Sequence, residues 1–125
     1  MRKNEIEKIA IFEGYKIRRE YDEKKETWWF SLVDVIAVLT DSVNPTDYLK
    51  KLRKRDKQLG LYLGTNCPQV EMTAKNGKKR KTLAGSPEHI LRLIQSIPSP
   101  KAEPFAIANF QFPMKQYSNK YNLEG

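Results

Sequence analysis

The sequence predicts a single α+β domain, and three observations predict it. The N-terminal third alternates apolar and other residues and contains the β-branched and aromatic run Thr27-Trp28-Trp29-Phe30. Three helix starts follow, at Ser31, Asn44-Pro45 and Ser86-Pro87. Between the last two lies Asn76-Gly77, a two-residue hairpin signal. A chain of 125 residues is long enough for one modest core, not for a large cleft and a second regulatory domain.

Ile9, Ile11, Tyr15 and Ile17 alternate across Glu13-Gly14, which reads as two strands joined by a tight turn. A second turn falls around Asp22-Glu23-Lys24-Lys25, and Thr27 to Phe30 form a third strand. Trp28 and Trp29 must point to opposite faces, one into the core and the other partly buried. Ser31 caps the first helix, with Asp34 completing a capping-box-like pair, and Val35 to Leu39 make that helix apolar nearly all round. After a short break at Thr40 to Val43, Asn44 caps a second helix with Pro45 at its first position and Asp47 in its first turn. Tyr48, Leu49, Leu52 and Leu59 share one side of it, and Gly60 is the expected stop.

Leu61 to Asn66 gives no clear signal for either loop or strand. Gln69 to Thr73 alternates as a strand, Asn76-Gly77 turns it with positive φ expected at both residues, and Lys78 to Leu83 return. Ser86-Pro87-Glu88 starts a last helix whose buried side is Ile90, Leu91, Leu93, Ile94 and Ile97. Pro98-Ser99-Pro100 ends it. From Ala106 the composition shifts to Asn, Gln, Lys and Tyr, so 106–125 is expected to be a poorly ordered tail. The helix offers more apolar surface than it needs to anchor itself, so an exposed patch, marginal stability or self-association into a homo-oligomer is expected.

Several function classes are disfavoured at once. One His and one Cys cannot form a zinc site, and one Cys excludes an internal disulfide. No Asp-x-Asp cluster suggests a hard cation, so neither metal nor cofactor is expected. His89 reads as the second residue inside a helix rather than a general base, since no Ser or Cys nucleophile is placed beside it in sequence. The longest apolar run, Val35 to Leu39, is too short for a membrane span, and no secretory signal is read at Met1 to Glu5. A cytoplasmic, non-enzymatic protein is the expectation.

The charge is informative because of where it sits. The chain carries 23 Lys/Arg and 15 Asp/Glu, and the whole excess of +8 falls between Pro45 and Lys81. That stretch holds Lys50, Lys51, Arg53, Lys54, Arg55, Lys57, Lys75, Lys78, Lys79, Arg80 and Lys81 against three acids, Asp47, Asp56 and Glu71. A soluble helix face normally alternates sign to gain i,i+4 pairs, and this one does not. Nor does protecting a sheet edge require five bases on one hairpin. A concentrated positive field points to a nucleic-acid backbone, with Arg53 and Arg55 as the residues that would reach a guanine edge.

Two short helices with a basic second member are compatible with a helix-turn-helix-like unit, a weak signal on spacing alone. The surrounding residues are more specific. Phe30-Ser31-Leu32-Val33-Asp34-Val35, then Val38-Leu39, then Asn44-Pro45 and a basic helix, resemble the N-terminal domain of the BRO family, found in baculovirus repeated-ORF proteins and prophage antirepressors. Phe12-Glu13-Gly14, Ile17-Arg18-Arg19 and the run from Ile90 to Phe105 are similar to bacterial members. The resemblance covers roughly residues 6–105 and implies a small α+β DNA-binding domain without catalytic residues. The chain departs from the pattern at Thr40-Asp41, where the family often has Gly-Tyr. It departs again from Ala106, where the family continues into another amphipathic helix, so the tail reads as truncated, shifted in frame or artificial.

The leading expectation is thus a prophage-type regulator of transcription whose eleven bases contact double-stranded DNA. The alternative is a protein-interaction module that binds and inactivates a repressor protein through the same patch. An RNA binder is disfavoured because the basic segments lack interleaved aromatics apart from Tyr48 and Tyr62. A nuclease is disfavoured because no acids cluster for metal-assisted hydrolysis.

Overall fold

A computed structural model describes residues 9–12 and 15–110. Among the described residues five strands and five helices alternate in blocks: β1 (Ile9–Phe12), β2 (Tyr15–Asp22), β3 (Thr27–Ser31), α1 (Leu32–Thr40), α2 (Pro45–Arg55), α3 (Lys57–Asn66), β4 (Gln69–Thr73), β5 (Lys79–Gly85), α4 (Pro87–Ile94) and α5 (Ala102–Phe110). The strands form one antiparallel sheet in the order β1-β2-β3-β5-β4. The α+β architecture expected from the sequence is the one observed. The turn expected at Glu13-Gly14 and the residues 111–125 lie outside the described residues.

The main core lies between the sheet and the helices. Ile17 and Phe30 from the strands meet Leu32, Val35, Ile36, Val38 and Leu39 of α1, and Leu49, Leu52, Leu59 and Leu63 of α2 and α3. A smaller cluster of Trp29, Met72 and Ala84 sits across β3, β4 and β5. The two tryptophans divide as the alternation requires. Trp29 is buried, while the half-buried Trp28 lies under the Arg19 guanidinium at 4.3 Å.

The caps read from the sequence act locally. Ser31 Oγ accepts from the Asp34 amide at 3.3 Å, and Asn44 Oδ1 accepts from the Asp47 amide at 3.1 Å. Asp34 does not close the expected reciprocal box; its carboxylate turns to Arg18 instead. At the start of α4 a capping box is complete, with His89 Nδ1 accepting the Ser86 amide at 3.1 Å. His89 is therefore the third helical residue, not the second, and its ring nitrogen has a backbone to satisfy.

Three expectations are corrected. Gly60 does not stop a helix. The break falls at Asp56, whose Oδ1 accepts from the Leu59 amide at 3.0 Å and so caps α3, the helix that includes Leu61 to Asn66. Gly60 lies inside α3, where a Cβ would come within 2.7 Å of the Arg53 carbonyl oxygen. Only glycine lets α2 and α3 approach this closely.

The hairpin at Asn76-Gly77 is not a two-residue turn. The Gly77 amide donates to the Ala74 carbonyl at 2.9 Å and the Ala74 amide to Lys78 at 2.8 Å, and only Gly77 has positive φ, +85°. This is the longer class of hairpin connection, in which a single left-handed residue suffices.

Nor is the apolar side of α4 exposed. Ile90, Leu91, Leu93, Ile94 and Ile97 are all at most 3% exposed. Part of their cover is α5, which continues past Phe105 to Phe110, and Phe105 is itself fully buried. Phe110 meets Phe30 and Phe105 edge to face at 5.3 and 5.9 Å. The argument for self-association through an exposed patch therefore fails on this face. Lys101, at the foot of α5, reaches the Asp41 carboxylate at 3.1 Å and the Val38 carbonyl at 3.5 Å, tying α5 to the end of α1. Asp41 has φ +55°, so the break after Thr40 is a left-handed cap made without glycine.

Candidate nucleic-acid interface

The elements enclose an open groove of about 1240 Å³, walled by α2 and α3 on one side and by the β4–β5 hairpin on the other. On α2, Lys50, Arg53 and Lys54 fall at i, i+3 and i+4, so they share a face, and all three line the groove. The restart at Asp56 lets α3 add Lys57 to the same wall. The hairpin contributes Lys75, Arg80 and Lys81 from the opposite side. Val33, Leu49, Leu61 and Leu83 make much of the remaining lining apolar.

Seven of the eleven bases singled out in the sequence thus converge. Lys51, Arg55, Lys78 and Lys79 do not line the groove. Lys51 pairs with Asp47 one helical turn back at 3.1 Å, while Arg55 is exposed at the end of α2. Lys78 and Lys79 are exposed beside the hairpin tip.

Two bases that the sequence reading passed over belong to the groove. Lys16 and Arg18 of β2 both line it. Their signal was available in the alternation, since residues 16 and 18 must face away from the core residue Ile17. Among the described residues Asp34 is the one acid in the lining, and Arg18 engages it. Arg18 Nε and Nη2 donate to the two Asp34 oxygens at 2.8 and 2.9 Å, Nη2 also reaches Ser31 Oγ at 3.3 Å, and Nη1 donates to the Thr73 carbonyl at 3.2 Å. The hydrogen bonds to Asp34 raise the Arg18 pKa further above its ordinary value, against the opposing effect of burial. One guanidinium therefore joins β2, the start of α1 and the base of the hairpin, and removes the one negative charge from play.

The other charges in the lining are left open. Lys16, Lys50, Arg53, Lys54, Lys57, Lys75, Arg80 and Lys81 make no side-chain hydrogen bond or ion pair among the described residues. Like charges held close together repel, so this arrangement favours an entering polyanion. Among the described residues no three His, Cys, Asp or Glu side chains gather where they could hold a metal ion.

Over residues 16–111 the sequence matches the BRO family, N-terminal domain. The chain belongs to the BRO family. The matched span contains every described groove residue and the five described helices. This domain is associated with prophage antirepressors and DNA-binding regulators and is not a known enzyme family. No curated protein and no solved structure matches the chain. No helix among the described residues is long and apolar enough to cross a membrane.

Proposed function

We propose that this BRO-family chain is a DNA-binding regulator of transcription of the prophage antirepressor type, acting in the cytoplasm and without catalysis. The observation that carries the reading is the convergence of α2, α3, β2 and the hairpin on one groove whose single acid among the described residues is already bound to Arg18. Lys50, Arg53, Lys54, Lys57, Lys75, Arg80 and Lys81 hold the phosphates of the duplex. Lys51, Arg55, Lys78 and Lys79 extend the positive field at its margins and guide encounter. Family membership supports the same reading.

Binding to random-sequence duplex DNA at several salt concentrations tests it. With about seven phosphate contacts, log K should fall against log salt with a slope of roughly −6. Absence of binding at low salt would move the function to the alternative, capture of a repressor protein by the same patch.

A further inference from the structure

Three arginines line the groove: Arg80 is exposed, Arg18 and Arg53 are half-buried, and of those two only one is spent on the fold. Arg18 is saturated by Asp34, Ser31 and Thr73. Arg53 is half-buried, yet its guanidinium makes no hydrogen bond or ion pair among the described residues. Its place is set by α3. A Cβ at Gly60 would lie 2.7 Å from the Arg53 carbonyl oxygen, and a Cβ at Gly64 would lie 3.3 Å from Arg53 Nη2. Gly60 and Gly64 are one helical turn apart, so they form a ledge along which the side chain lies. The guanidinium is close enough to Cys67 to oppose the burial that pushes that thiol up to about 11.

A half-buried arginine whose cation makes no ion pair has no electrostatic partner in the fold itself. A guanidinium fixed by packing also loses less freedom on binding than an exposed lysine does. Both facts point to a ligand that brings paired acceptors into the groove. We infer that Arg53 is a phosphate fork: one strand of the duplex beds in the groove, and Arg53 takes two oxygens of a single phosphate, flanked by Lys50, Lys54 and Arg80.

This rests on the DNA-binding reading and specifies its geometry. The shape argues for backbone rather than base. Base edges lie at the bottom of the DNA grooves and are reached by protruding elements, whereas the phosphate ridge is the protruding feature of a duplex and fits a concavity. Arg53 is thereby reassigned from guanine reading to the backbone.

The test measures binding of the full chain to random-sequence duplex and the base preference selected from the same pool. Arg53→Lys keeps the charge and loses the fork, so affinity should drop roughly tenfold on every sequence alike with the salt slope retained. Arg53→Ala should lower the slope by about one. Gly64→Ala guards against a folding artefact, because alanine favours the helix while crowding the guanidinium; it should melt no lower than wild type and still bind more weakly. Wild-type affinity in Arg53→Lys or Gly64→Ala overturns the inference, and so does a loss confined to particular sequences, which would make Arg53 a base reader. Failure of these variants alone leaves the DNA-binding reading standing. No binding by the wild-type chain removes both.

Discussion

Around α4 and α5 the cations are tied down, and along the groove all but Arg18 are left open. Arg92 donates to Ser96 at 2.8 Å and lies over Tyr62, and Lys101 holds Asp41 at 3.1 Å. These contacts sit over a continuous apolar core in which Phe105, Ile90 and Leu93 are fully buried. The groove walls contain eight bases with no partner among the described residues. Their mutual repulsion opposes folding, so they are not there to stabilise the domain. One half of the molecule holds the fold together, and the other displays charge on it. The two halves should therefore respond to mutation in separable ways.

The largest expected effect is on the core side. Phe105→Ala removes a fully buried ring that meets Phe110 at 5.9 Å. The lost burial and the cavity left behind should cost about 4 kcal/mol, read as a lower midpoint in urea unfolding. If DNA affinity, measured under conditions where the variant remains folded, fell as far as stability does, the two halves would not be separable.

The reverse experiment is next in size. Replacing Lys75, Arg80 and Lys81 together with Ala removes three groove bases that are not tied to the fold. The salt slope of DNA binding should fall in magnitude by about 3 while the unfolding midpoint stays level or rises slightly. The matched control is Lys78→Ala with Lys79→Ala, both outside the groove lining. A larger loss from that pair would place the clamp at the hairpin tip and not in the groove.

The contrast also explains what the sequence disclosed. Helix starts were legible because their chemistry is local: Ser31 and Asn44 each lie three residues from the amide they accept, and His89 lies three residues from the Ser86 amide that donates to it. The basic hairpin was legible for the same reason. The split between α2 and α3 was not. Asp56 looks like a lone acid in a basic helix until its carboxylate is seen capping Leu59, and Gly60 looks like a stop until its missing side chain is seen admitting the Arg53 backbone. Arg18 depends on Thr73, 55 residues away, and no local pattern announces that contact. The family resemblance reached about Phe105, but the packing of Phe110 on Phe30 joins residues 80 apart, so a compositional edge at Ala106 gave no sign of it. Which of the eleven bases converge was equally a question of tertiary structure, because Lys50 and Lys51 are neighbours in sequence and only Lys50 lines the groove.

The smallest expected effect is a pH dependence confined to the core side. The His89 ring stacks on Trp29 at 6.2 Å and meets Tyr62 edge-on at 5.8 Å, and its Nδ1 accepts the Ser86 amide. Burial lowers its pKa, and the nearby Glu88 carboxylate offsets this in part. A histidine harder to protonate in the folded chain than in the unfolded one gives stability that is fully present above the ordinary value of about 6.5. As pH falls below that value the unfolded chain takes up the proton first, so the stability is progressively lost. Protonation also makes Nδ1 a donor, so it can no longer accept the Ser86 amide and the box at the start of α4 opens. The test is His89→Gln. Glutamine at the third helical position can still reach back to the cap amide but does not titrate. The wild-type melting temperature should fall between about pH 7 and pH 5 by more than that of the variant. The salt slope of DNA binding should be the same for both proteins at pH 7, because His89 does not line the groove. Parallel melting curves for the two proteins across that range would show that the cap tolerates the proton.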